Sequence, residues 1–140
     1  MVEKKYHALL DDRIFFGGAA DAEEAVTNEK IDVVVDLRVK EPEKVTYYRV
    51  HAPIADEAEQ VEASILEAVD KVVSAYRDGK KVFFHCGGGG GRAGTVAVGT
   101  LIELGQATSV EEAEQKAKAI RNKVNVREPM KIALQNIYDK

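Results

Sequence analysis

The chain has 140 residues, 45% hydrophobic and 31% charged, with one cysteine and a net charge of −4. That is enough for one buried core and too little for two, so residues 1–140 are expected to form one domain. Its apolar runs are strand-sized, well short of the roughly 20 residues of a membrane span. Its Lys and Arg are scattered among more numerous acids, which disfavours nucleic acid as a partner, and a lone cysteine allows neither an internal disulfide nor a Cys-rich zinc site.

The residues before Tyr6 carry no apolar leader, so the cytoplasm is the expected location. Arg13-Ile-Phe-Phe16 predicts a short strand closed by Gly17-Gly18. Asp21 predicts an N-cap for a helix to about residue 28, with Ala22, Ala25 and Val26 at helical spacing. Residues 31–37 predict a strand buried on both faces, because Val33, Val34 and Val35 leave no polar side. A further strand is expected over residues 45–51, where Tyr47 and Tyr48 suit cross-strand packing. From residue 59 to 77 the apolar positions Val61, Ile65, Leu66, Val69, Val72, Val73 and Tyr76 fall at i, i+3, i+4 and i+7. That pattern is a long amphipathic helix, stopped by Asp78-Gly79.

Residues 81–85 predict another buried strand, which runs into Cys86 and five consecutive glycines, residues 87–91. Residues 92–104 follow as a helix apolar on most faces, a composition suited to the middle of a fold, ended by Gly105. Two amphipathic helices close the chain, residues 109–122, opened by a Ser109–Glu112 capping box, and residues 129–139. The charged stretches 111–118 and 128–131 are expected to be solvated helix surfaces. Strands come early and helices crowd the second half. The expected fold is α/β, a central and mostly parallel sheet of four or five strands flanked by helices.

The chemistry concentrates between the strand ending at His85 and the helix beginning near Arg92. Backbone N–H groups of a glycine loop lack strand or helix partners and must find an acceptor. Turned inward they form a nest for an oxyanion, and the following helix N-terminus adds partial positive charge. Arg92 offers a planar fork for two phosphate oxygens. Cys86 stands at the base of this loop, where the same charges favour thiolate over thiol. A thiolate facing the phosphorus of a bound phosphate is placed for in-line displacement. His7, His51 and His85 are too dispersed for a metal site, so no metal and no cofactor are expected.

His85-Cys86-x5-Arg92 resembles the signature of the cysteine-dependent protein tyrosine phosphatases, in particular their compact dual-specificity branch. The resemblance extends from the Arg13 strand onward. It implies that Cys86 is the nucleophile and that a cysteinyl-phosphate is formed and hydrolysed. It also implies that residues 87–93, namely Gly87, Gly88, Gly89, Gly90, Gly91, Arg92 and Ala93, bind the phosphoryl group, and that His85 tunes the thiolate. Members of that family use an aspartate on a separate loop as general acid. The matching position is Asp56, thirty residues before Cys86 and after a turn-forming proline, with Glu57 and Glu59 as rivals. Asp36, at the end of a buried strand, either braces the loop or is scaffold.

Where the family places Ser or Thr after the arginine, this chain has Ala93, and Thr95 lies two positions further on. Slow hydrolysis of the phospho-enzyme is therefore expected. The expected substrates are phosphotyrosine, phosphoserine or phosphothreonine proteins, or small phosphomonoesters, acted on by a monomer. A glycine loop without basic side chains disfavours highly anionic head groups. Two alternatives remain: a phospho-ligand binding module that has lost turnover, and a sulfur-transfer or arsenate-reducing enzyme on a related loop.

Overall fold

Along the central strands, successive side chains point to opposite faces of the sheet, and both faces are apolar. Val33, Val35, Val82 and Phe84 face one layer, while Val34, Phe83 and Phe15 face the other. The computed structural model describes residues 5–40, 43–88 and 90–139. Among them run β1 (His7–Leu10), β2 (Ile14–Gly18), α1 (Ala22–Glu29), β3 (Val33–Asp36), β4 (Arg49–His51) and α2 (Ala58–Arg77). They are followed by β5 (Val82–Cys86), α3 (Arg92–Glu103), α4 (Val110–Ile120) and α5 (Met130–Tyr138). The strand order is β1-β2-β5-β3-β4, antiparallel only between β1 and β2, so the fold is α/β with a mostly parallel five-stranded sheet.

The helices divide unequally. Helices α2 to α5 pack on the face carrying Phe16, Val35 and Phe84, and α3 is buried over most of its length. The opposite face is covered by Ala22 and Ala25 of α1 together with Tyr6, whose ring meets Phe15 and Phe83 edge-on. Gly79 and Gly105 end α2 and α3 in left-handed backbone, at φ 82° and 73°.

Four elements depart from the sequence reading. Strand β1 was not expected. It is joined to β2 by Asp11, Asp12 and Arg13, the two aspartates at left-handed φ (55° and 53°), a conformation aspartate tolerates better than most residues. Strand β4 is shorter than residues 45–51, and Tyr48 is exposed while Tyr47 packs against the Val34 layer. Asp21 does not cap α1 through its side chain. Its buried carboxylate instead accepts the Gly18 N–H at 3.0 Å. The Ser109 cap is present, with the Glu112 N–H donating to Ser109 Oγ, but the Glu112 carboxylate reaches back to the Thr108 N–H.

Candidate active site

Strand β5 is the middle strand of the sheet, and it delivers His85 and Cys86 to the end where its parallel neighbours β2 and β3 also stop. Gly18 pairs with Cys86 and Asp36 with His85. Beyond that edge the chain turns through the glycine loop and enters α3 at Arg92. Cys86 is buried, and the Ala93 N–H in the first turn of α3 donates to its Sγ at 3.4 Å. The sulfur therefore lies under the positive end of a helix whose first-turn amides lack intrahelical partners.

The loop is held from outside. The Gly87 carbonyl accepts from the Ala19 N–H at 3.0 Å, and the Gly90 carbonyl from the Asn125 N–H at 3.0 Å. At Gly90 glycine is required by space, since a Cβ there would sit 2.6 Å from the Lys123 carbonyl oxygen. Gly89 lies outside the described residues. Ala93 is fully buried, and the Thr95 hydroxyl is engaged by the Gly91 carbonyl at 2.8 Å and the Met130 sulfur at 3.4 Å.

Arg92 and Asp56 meet on one side of the cleft. The Arg92 Nε donates to the Ile54 carbonyl at 2.9 Å, and its terminal nitrogen forms an ion pair with the Asp56 carboxylate. The Asp56 loop is fastened at its base by the buried Ile54 side chain. Its backbone is tied by the Ala52 N–H to the Asp36 carbonyl (2.9 Å), by the Ile54 N–H to the Leu37 carbonyl (3.1 Å), and by the Ala55 N–H to Ser64 Oγ (3.0 Å). Asp56 itself is largely exposed at the rim. Glu57 and Glu59 are exposed and do not line the cleft.

His85 is fully buried, and its Nδ1 lies 3.2 Å from the Cys86 carbonyl. Burial pushes its pKa below the ordinary value against the opposing pull of Asp36, so the ring is neutral near pH 7, with Nδ1–H donating to that carbonyl. Asp36 is also fully buried. Burial alone would raise its pKa, but the Arg38 guanidinium (3.0 and 2.8 Å) and the Arg38 N–H (3.0 Å) hold the carboxyl below the usual range. Its hydrogen bonds go to Arg38 and not to the glycine loop.

The cleft above Cys86 encloses about 560 Å³. One wall is Asp56 and Arg92. The other comes from the segment between α4 and α5, with Lys123, Asn125, Arg127 and Glu128. Sequence reasoning did not place this segment at the site, and it assigned Glu128 to a solvated face. The available signal was two cations in a stretch without helical period, ended by Pro129. The glycine loop itself carries no basic side chain, but the cleft receives Lys123 and Arg127 from elsewhere in the chain. Among the described residues no group of three or more His, Cys, Asp or Glu is arranged to hold a metal ion, and no helix is long and apolar enough to cross a membrane.

Residues 14–140 match the model of a family described as dual specificity phosphatase, catalytic domain. No curated protein sequence matches the chain. Among solved structures, a mouse protein described as a dual specificity phosphatase and complexed with zinc tungstate superposes with a TM-score of 0.83 at 19% identity, covering 99% of this chain and 89% of that one. Human DUSP28 gives 0.78 at 20% identity, over 99% and 95% of the two chains. PTPMT1 in complex with PI(5)P gives 0.76 at 18% identity, over 96% and 95%.

Proposed function

The chain belongs to the dual specificity phosphatase family, and on that premise we propose that it hydrolyses phosphomonoesters through a cysteinyl-phosphate intermediate. The observation that carries this reading is the placement of Cys86 Sγ beneath the Ala93 amide in the first turn of α3, with Arg92 and Asp56 paired at the side of the same cleft.

In the first step the Cys86 thiolate attacks phosphorus in line with the leaving oxygen. The S–P bond forms, the P–O bond to the substrate breaks, and the departing oxygen takes its proton from the Asp56 carboxyl. The non-bridging oxygens are held by loop amides and by the Arg92 guanidinium, which supply the charge stabilisation without a metal. Arg92 gives up its bond to Asp56 as it takes the phosphate, which leaves the carboxyl group beside the leaving oxygen. In the second step water attacks phosphorus, Asp56 accepts a proton from it, and the thiolate leaves with release of inorganic phosphate. At this point Ala93 offers no hydroxyl to the departing sulfur, and that of Thr95 is engaged elsewhere. Intermediate hydrolysis is the slow step.

Phosphotyrosine fits as substrate, with phosphoserine and phosphothreonine also accepted by an open cleft. Lys123 and Arg127 extend the range to phosphomonoesters with a second anionic group. A relative of this fold has been crystallised with PI(5)P.

Rapid-mixing hydrolysis of p-nitrophenyl phosphate tests the reading, with Cys86→Ser as control. The expected record is a burst near one equivalent of p-nitrophenolate per enzyme, then slow turnover, both absent in Cys86→Ser. Linear release that disappears in Cys86→Ser would keep the phosphatase and move the bottleneck to an earlier step. No release from the wild-type chain would leave a phosphate-binding module.

A further inference from the structure

Five consecutive glycines carry no side chains with which to order themselves, and each has more backbone freedom to lose than any other residue. An oxyanion nest also fails if its carbonyls turn inward, because each would present a negative end to the anion. Order must therefore come from donors outside the loop that hold those carbonyls away from the cleft. Among the described residues, the donors to them are the Ala19, Gly94, Thr95 and Asn125 N–H groups, the Thr95 hydroxyl and the guanidinium of Arg121. Of the two side chains in this set, Thr95 belongs to the helix that continues the loop, whereas Arg121 reaches it from the end of α4.

Its setting is unusual for an arginine. Arg121 closes α4, is 2% exposed, and lies behind the glycine loop, outside the cleft that holds Cys86. One terminal nitrogen donates to the Gly88 carbonyl at 3.2 Å. The other donates to the Lys5 carbonyl and lies 3.1 Å from His7 Nδ1. One planar group thus ties the glycine loop to β1 and to the end of α4. Burial lowers its pKa, against the opposing pull of the Asp21 carboxylate.

We propose that Arg121 is a positioning residue for the phosphate loop, keeping the Gly88 carbonyl turned away from the anion so that the empty loop is already shaped to receive one. This rests on the phosphatase reading, since it assigns the loop its ligand. Arg121 touches neither substrate nor the reacting atoms. Its effect passes through Gly88, and its cost of burial is met by its bonds to carbonyls and to His7.

The test is calorimetric titration of inorganic phosphate into wild type, Arg121→Met and Arg121→Lys, each checked for folding by circular dichroism and thermal melting. Arg121→Met removes a charged hydrogen bond and is expected to weaken phosphate binding on the order of tenfold or more. Arg121→Lys keeps the charge but cannot span Gly88, Lys5 and His7 with one fork, and it should recover only part of that loss. A role confined to stability would lower the melting temperature and leave the phosphate Kd of the folded protein unchanged in both variants, which overturns the proposal. If Arg121→Met does not fold, Arg121→Lys decides alone, and a wild-type Kd there overturns it. Failure of the wild-type chain itself to bind phosphate would overturn the proposed function and this inference together.

Discussion

The floor and the rim of the Cys86 cleft are built on different principles. The glycine loop and the start of α3 offer an anion mostly backbone, in one unbroken stretch that also carries Cys86 and Arg92. The rim is made of side chains from distant places, Asp56 from the loop before α2 and Lys123 and Arg127 from the segment before α5. Backbone amides recognise a phosphoryl group whatever it is attached to, because every peptide carries the same donor. Side chains differ, so the rim is where leaving group and substrate class are discriminated. On the proposed reading, the loop holds the phosphoryl group and the rim determines what becomes of it.

The largest effect that would break this division belongs to the rim. Asp56→Asn removes the proton donor while leaving the loop intact, and a general acid typically contributes about 10²- to 10⁴-fold. Turnover of an alkyl phosphate should fall by a factor in that range, with a much smaller loss on p-nitrophenyl phosphate, whose leaving group needs little protonation. Steady-state rates on the two substrates measure the contrast. Equal losses on both would move the acid away from Asp56.

A comparable test from the other side is Gly90→Ala. Its Cβ would stand 2.6 Å from the Lys123 carbonyl, a contact between two backbones that neither side chain can relieve by rotating. Overpacking of this kind costs about 1–3 kcal/mol, and the loss should appear in denaturant unfolding and in weaker phosphate binding. Gly88→Ala is the control, because nothing lies within 4 Å of its added carbon, and its stability should stay within about 0.5 kcal/mol of wild type. If both variants unfold alike, the loop fails through lost glycine freedom and not through its contact with Lys123.

The same contrast explains how much of the molecule was legible beforehand. Strands β3 and β5 declared themselves because side chains buried on both faces leave no polar position, α2 because its apolar residues repeat with the helix, and α3 as a mostly apolar stretch ended by Gly105. The Cys86–Arg92 stretch was legible because its chemistry is local in the chain. Asp56 was placed by likeness to a family, and the structure sets it against Arg92. Strand β1 was missed because it is only four residues long and its turn uses two aspartates in left-handed backbone, without a glycine to signal a hairpin. Lys123, Asn125 and Arg127 were missed because nothing local marks them. Their importance comes from the packing of Val124 against Gly94 and the Asn125 N–H bond to Gly90, both contacts across some thirty residues of chain.

If those two cations select substrates, removing them should matter only when there is something for them to select. Lys123→Ala combined with Arg127→Ala is expected to raise KM about three- to tenfold for a phosphomonoester bearing a second phosphate, as two exposed ion pairs of ordinary strength would. For p-nitrophenyl phosphate the change should stay within about twofold. The effect should shrink as salt is raised from 0.05 to about 0.5 M, since screening acts on exposed charges first. Equal KM changes for both substrates would mean that the segment supports the loop and does not read the ligand.

The smallest expected effect has the opposite sign and comes from the same Asp56→Asn variant. In the unliganded molecule the Asp56 carboxylate occupies one arm of Arg92, so an incoming phosphate competes with it for that guanidinium. Asparagine keeps the shape and loses the charge. Because the pair is exposed at the rim, its rupture costs little, and phosphate should bind only about two- to fivefold more tightly to the variant than to wild type. A catalytically poorer enzyme that binds its product better would show that one carboxylate both restrains the arginine and serves the leaving group. Unchanged or weaker phosphate affinity would show that Arg92 is already free of Asp56 in solution and that the two act independently.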